Sequence, residues 1–197
     1  VLAVSGGRSP IAFFEYLRRQ ALSWKQVQVV MVDERCVPPM HPDRNAQLIR
    51  RHLLQAPAAE AVFIDWLSGI DAPDEHTPGA LVKNARAQCP SEPWVVDVAV
   101  LGMGEDGHTA SWFAASEGLD EALQSDEPLA WVRPQAAPYL RLTLTLSAIR
   151  RCRYVHLAIA GEVKLGVLKA ALAGTTPDKP VQNLIAAVPA LQIWVAN

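Results

Sequence analysis

The sequence predicts an α/β fold, a Rossmann-like three-layer sandwich with a mainly parallel sheet flanked by helices on both faces. Three observations predict it. Short β-branched runs, such as residues 27–32 and 154–160, alternate with amphipathic helical stretches along the chain. Two of the runs break abruptly into glycine turns, Ser5-Gly6-Gly7 and Gly102-Met103-Gly104. Finally, 197 residues, half of them hydrophobic and 19% charged, suffice for a substantial core in one domain, expected to span residues 1–197.

Residues 1–4 read as a strand ending in Ser5-Gly6-Gly7-Arg8-Ser9-Pro10. Ser9 suits an N-cap and Pro10 the first helical position, which predicts a helix to about Leu22 with Ile11, Phe14 and Leu17 on its apolar face. Strand, glycine turn and helix N-terminus form a layout that binds phosphate through free backbone N–H groups. Arg8 adds a cation there, and Ser5 and Ser9 add hydroxyls; the alternative is a tight turn with Arg8 solvated. Residues 27–32 form the next strand and end in Asp33-Glu34-Arg35. Open α/β sheets bind ligands beyond the carboxyl ends of their strands, so these charges are candidates for catalysis. A surface ion cluster is the plainer reading. After a stiff proline loop, Asp43-Arg44-Asn45 reads as the cap of a short helix carrying Leu48, Ile49, Leu53 and Leu54. His41 and His52 are expected in loop and surface positions, without metal-ligand spacing, and no metal is assigned.

Residues 61–64 give a further strand, 68–79 a loop with His76 exposed, and 79–88 a helix. The run 95–101 is a buried strand that delivers Gly102, Gly104, Glu105, Asp106, Gly107 and His108 in quick succession. A short helix over 116–123 follows, and the alternating residues 141–146 predict a strand with one wet face. Residues 154–160 read as a strand buried on much of its length, with His156 a core or edge residue. Gly161-Glu162-Val163-Lys164 opens a helix reaching about Ala173. A lysine in the first turn opposes the helix dipole, which makes sense if Lys164 faces a bound anion; the alternative is a solvated lysine neutralised by Glu162. A strand over 191–196 closes the chain, and no element is assigned to 124–140 or 174–190.

The formal net charge of −2 leaves no electrostatic footprint for nucleic acid. No apolar run approaches the roughly 20 residues needed to span a bilayer. Three cysteines without a CxxC pair argue against a disulfide framework and fit a reducing, cytoplasmic setting. The chain opens inside an apolar run without an initiator methionine, so residues upstream of Val1 are expected. Gly102 to Gly107 formally satisfies GxGxxG after a strand. A dinucleotide site is nonetheless rejected, because the loop carries two carboxylates where pyrophosphate needs N–H groups and positive charge. The pattern also lacks a clear second strand ending in an acid about 20 residues on.

Three segments resemble the 6-phosphogluconolactonase family: residues 5–10, residues 32–45 with Asp33-Glu34-Arg35 and Asp43-Arg44-Asn45, and residues 101–113 with Gly107-His108-Thr109-Ala110-Ser111. Arg141-Leu142-Thr143 and the Gly161–Lys164 turn fall in the same order, so the resemblance covers nearly the whole chain. It implies hydrolysis of 6-phospho-D-glucono-1,5-lactone to 6-phospho-D-gluconate, the second step of the oxidative pentose phosphate pathway. It implies no metal or organic cofactor, a sugar-phosphate lactone as the small-molecule partner, no nucleic-acid or membrane partner, and a monomer or weak homo-oligomer. Carried over by position, His108 is the base that takes a proton from the attacking water; imidazole titrates near neutral pH and suits that task. Arg35 would stabilise the developing negative charge. Asp33 and Asp106 would orient Arg35, His108 or sugar hydroxyls, and Gly6, Gly7, Arg8, Ser9 and Lys164 would hold the 6-phosphate.

The chain departs from the family pattern in three places. Arg8-Ser9 stands where Ser-Thr is expected, Arg44 where a serine is expected, and Ala114-Ala115 where Pro-Gly is expected; the resemblance starts at Val1, short of the family's N-terminal extension. Two rival readings remain. One is the related glucosamine-6-phosphate deaminase/isomerase family, whose glutamate after the histidine has no counterpart here before Glu117. The other is a non-catalytic sugar-phosphate sensor, against which both Arg35 and His108 count.

Overall fold

The computed structural model describes residues 1–89, 94–175 and 179–196. Its main sheet contains β1 (Leu2–Val4), β2 (Gln28–Met31), β4 (Val62–Ile64), β5 (Val98–Leu101), β8 (Tyr154–Ala160) and β9 (Gln192–Ala196), in the order β4-β2-β1-β5-β8-β9. Every pairing in it is parallel. β1 lies at the centre, with Val4 level with Met31 on one side and Val100 on the other. From β1 the chain steps outward to β2 and β4, and from β5 it steps the opposite way to β8 and β9. Right-handed crossovers then put the connecting helices on opposite faces of the sheet. Those helices are α1 (Ile11–Leu17), α2 (Asn45–His52), α3 (Pro78–Gln88), α4 (Leu119–Gln124), α5 (Leu146–Arg150), α6 (Glu162–Leu172) and α7 (Pro180–Ala187). No described helix is long and apolar enough to cross a membrane.

A second sheet departs from the sequence reading. Residues 27–32 do not end at the edge of the first sheet. Val32 donates its N–H to the Val4 carbonyl at 2.9 Å, while its own carbonyl accepts the Leu144 N–H at 2.8 Å. The chain thereby passes into β3 (Asp33–Arg35), which pairs antiparallel with β7 (Arg141–Leu144), and β7 pairs in turn with β6 (Leu129–Val132). β7 is the middle strand of this small sheet and is buried throughout. The threonines of residues 141–146 therefore do not mark a wet face. Thr143 is fully buried, and Thr145 caps α5 by accepting the Ala148 N–H.

Smaller differences follow the same logic. α1 stops at Leu17 rather than Leu22, because the chain turns to bury Trp24, whose indole N–H donates to the Gln20 carbonyl at 3.2 Å. Pro10, not Ser9, occupies the N-cap of α1, without a side-chain cap bond. β8 buries only the face of Val155, Leu157 and Ile159, while Tyr154, Ala158 and Ala160 are exposed. β6, α5 and α7 lie where no element, or only the tail of a strand, is expected.

Leu157 is fully buried on β8, between β5 and β9. Leu157→Ala is expected to lower unfolding free energy by about 2–5 kcal/mol in a denaturant titration. A loss under about 1 kcal/mol would show that this strand does not sit in the core.

Candidate active site

The strand order reverses between β1 and β5, and a cavity of about 880 Å³ opens beyond their carboxyl ends. Such a reversal leaves a crevice because neighbouring connections leave toward opposite faces. The β1 and β5 loops border it and are tied together. Ser5 N–H donates to the Val100 carbonyl at 3.0 Å, and Gly102 N–H donates to the Ser5 hydroxyl at 3.3 Å.

Of the residues proposed from the sequence, Gly6, Gly7, Arg8, Ser9, Asp33, Arg35, His108 and Lys164 all line this cavity. Asp106 does not; it stands behind His108, with Oδ1 2.5 Å from Nδ1. This hydrogen bond is the main reason that the Asp106 carboxyl is held down at about 2. An ionised carboxylate can only accept, so Nδ1 donates to it, and in the neutral ring Nε2 keeps the lone pair. Gly104 makes this geometry possible. A Cβ there would stand 2.3 Å from the His108 ring, closer than any side chain tolerates.

Three buried groups anchor the loop that carries His108. The Thr109 hydroxyl donates to the Gly102 carbonyl at 2.8 Å, the Ser111 hydroxyl to Asp33 Oδ2 at 2.7 Å, and the Trp112 indole to the Leu144 carbonyl at 3.0 Å. Ala110 between them adopts φ 50°, a left-handed conformation that a non-glycine residue holds only when its surroundings impose it. Phe113 stacks on His108 with ring centroids 4.0 Å apart, and the Arg141 guanidinium lies over the same phenyl ring at 5.8 Å.

β3 alternates across the small sheet, so Asp33 and Arg35 line the cavity while Glu34 is fully buried beneath it. Arg35 Nη1 donates to the Asp43 carbonyl at 2.8 Å and to Asn45 Oδ1 at 3.0 Å, and its Nε–H has no partner among the described residues. Arg44 does not stand in for a hydroxyl. It is buried against Asp65 at 2.8 Å and Glu34 at 3.7 Å, away from the cavity lining.

Two lining residues went unassigned in the sequence reading. Asn45 holds Arg35 and donates to the Asp33 carbonyl at 2.7 Å. Gly6 is what lets Asn45 come so close, since a Cβ at position 6 would meet Oδ1 at 1.9 Å. Arg141 is 5% exposed, and burial pushes its pKa down against the pull of Asp33. A charged residue opening an alternating strand was the available signal for it. Among the described lining residues, Arg8, Arg35, Arg141 and Lys164 face one carboxylate, Asp33.

The other histidines separate from this group. His52 pairs with Glu15 at 3.0 Å between α2 and α1, His41 packs edge-on against Tyr139, and His76 is exposed. His156 lines the cavity but accepts the Trp194 indole N–H at 3.1 Å. Among the described residues, no group of three or more His, Cys, Asp or Glu side chains is placed to hold a metal ion.

Comparison with known proteins assigns this architecture. The family described as glucosamine-6-phosphate isomerases/6-phosphogluconolactonase matches residues 1–193. The chain belongs to that family. It is 42% identical to a 6-phosphogluconolactonase of Neisseria meningitidis over 187 residues, covering 94% of this chain and 79% of the relative. A Pseudomonas aeruginosa 6-phosphogluconolactonase is 42% identical over 179 residues, covering 88% and 71%. Among solved structures, a putative 6-phosphogluconolactonase from Neisseria gonorrhoeae superposes with TM-score 0.89 at 38% identity, covering all of this chain and 84% of its own. The family's sheet and the six-stranded order described above are thus the same kind of three-layer α/β fold.

The Asp106–His108 bond predicts a titration. In ¹³C NMR spectra of His108→Ala, the Asp106 carboxyl is expected to rise from about 2 toward the ordinary value of about 3.9. In the parent, any stability the pair contributes is present above the ordinary carboxyl range and disappears as pH falls toward 2. An unchanged Asp106 titration in the variant would rule out the bond.

Proposed function

We propose that this chain hydrolyses 6-phospho-D-glucono-1,5-lactone to 6-phospho-D-gluconate, in the cytoplasm, with water activated by His108. One observation carries the reading. A carboxylate-oriented imidazole opens into a cavity whose remaining charged wall is mostly cationic, which suits a neutral ester attached to an anionic phosphate. The family relatives bear the name of this activity and cover most of the chain.

In this mechanism the 6-phosphate lies against Gly6, Gly7, Arg8, Ser9 and Lys164. α1 is a single short helix of seven residues, so the guanidinium and the ammonium carry more of this task than its dipole. Anchoring the remote phosphate fixes the lactone carbonyl near His108, which turns water attack into a positional problem. Nε2 takes a proton from water as its oxygen bonds to C1, and Asp106 stabilises the imidazolium that forms. Negative charge moves to the carbonyl oxygen, where Arg35, with its unpartnered Nε–H, and the buried Arg141 supply positive potential. The bond from C1 to the ring oxygen then breaks, and His108 returns the proton to that oxygen. Asp33, held through one oxygen by Ser111, keeps the other for a sugar hydroxyl.

The deaminase/isomerase branch of the family is less well supported. Glu117, the first acid after His108, pairs with Arg133 at 3.4 Å and lies outside the cavity lining. A coupled assay of fresh 6-phosphogluconolactone, corrected for spontaneous hydrolysis and run beside glucosamine-6-phosphate, separates the two. Turnover of the second substrate alone would overturn the lactonase reading.

His108→Ala is expected to lower the hydrolytic rate by about 10²–10⁴ with the fold intact by circular dichroism. A variant as fast as the parent would remove His108 as the base. Arg8→Ala and Lys164→Ala are expected to weaken binding of the phosphorylated lactone while leaving unphosphorylated gluconolactone unaffected. Equal effects on both substrates would take these residues out of the phosphate site.

A further inference from the structure

Glu34 touches neither the cavity nor solvent, yet three backbone N–H groups converge on it. Oε1 accepts from Arg35 at 2.7 Å and from Asn45 at 2.8 Å, and Oε2 accepts from Ala46 at 2.8 Å. Arg44 Nε stands 3.7 Å from Oε2. Burial pushes the carboxyl up to about 7, while the three N–H groups and Arg44 pull the other way.

Asn45 and Ala46 are the first two residues of α2, and the N-cap residue Arg44 contributes no side-chain cap bond. Glu34 supplies that cap from another strand. The helix end it holds carries both acceptors of the Arg35 guanidinium, the Asp43 carbonyl and Asn45 Oδ1. The same carboxylate also grips the Arg35 main-chain N–H, so it fixes the residue at both ends.

We propose that Glu34 is a positioning residue for the lactonase reaction: by capping α2 it sets where the Arg35 guanidinium points in the cavity. The inference rests on the reading above, in which Arg35 meets the developing oxyanion. Without Glu34 the first N–H groups of α2 lose their partners in a buried place, where an unpaired donor is costly. The helix start then shifts, and the acceptors of Arg35 shift with it.

The test uses Glu34→Gln, which keeps the side-chain shape but sets an amide N–H₂ against a backbone donor. With 6-phosphogluconolactone, kcat is expected to fall by about 10- to 100-fold while KM stays within about twofold, since the phosphate contacts lie elsewhere. In an Arg35→Ala background the same substitution should cause no further loss of kcat. Equal losses in both backgrounds, or a lower Tm with kcat unchanged, would overturn the proposal. A crystal structure of Glu34→Gln decides the point without any activity measurement. A guanidinium displaced from the Asp43 carbonyl and Asn45 Oδ1 supports the proposal, and one left in place overturns it. A negligible effect of Arg35→Ala alone would instead count against the oxyanion role of Arg35. Should Glu34→Gln not fold, Asn45→Ala removes one acceptor while leaving the cap intact. It should lower kcat in the parent background and not in Arg35→Ala, and an unchanged kcat would overturn the link.

Discussion

The arrangement depends on the divided hydrogen bonding of Val32. Its N–H belongs to the parallel sheet and its carbonyl to the antiparallel one, so a single extended stretch joins both. β1 and β5 locate the crevice, but neither carries a charged side chain into it. Asp33 and Arg35 reach it because the chain continues past the end of β2 instead of turning away. Backbone pairing with β7 then holds them in register opposite Thr143 and Arg141, which brings a second guanidinium to the same wall.

The loop after β5 uses a different means to the same end. It has little regular structure, and its shape is held by hydroxyl and indole donors that reach β3, β7 and Gly102 just past β5. Each donor is buried, so its bond is not exchanged for one to water, and release would leave a polar group unpaired. This accounts for Ala110 in a left-handed conformation: its neighbours on both sides are fastened. The histidine is thereby placed by the frame of two sheets rather than by its own segment.

Much of this was legible in the sequence. Glycines following β-branched runs marked both loops, and the parallel order followed from the alternation of strands and helices. What local pattern could not supply was the second sheet. β3 consists of three charged residues and reads as the end of a strand, because its partner is remote in the sequence. The alternation of residues 141–146 suggested a wet face, since nothing local announces that β6 and β3 enclose β7. For the same reason Arg141 drew no role, and Asn45 passed for an ordinary cap residue when its side chain braces Arg35. The three acids of the site region were indistinguishable by type. Only position separates Asp106 behind the imidazole, Asp33 at the cavity wall and Glu34 beneath it.

The contact between Gly6 and Asn45 has a consequence for how the site can change. The Ser5–Pro10 loop and the scaffold of Arg35 are distant in the chain, yet they share one patch of van der Waals surface with no spare room. Bulk added on one side must be removed from the other. Transplanting the Ser5–Pro10 loop from a relative is therefore a two-segment operation, in which positions 6 and 45 travel together. The Ser5–Pro10 loop and the brace of Arg35 are therefore sterically one unit, although they belong to separate segments.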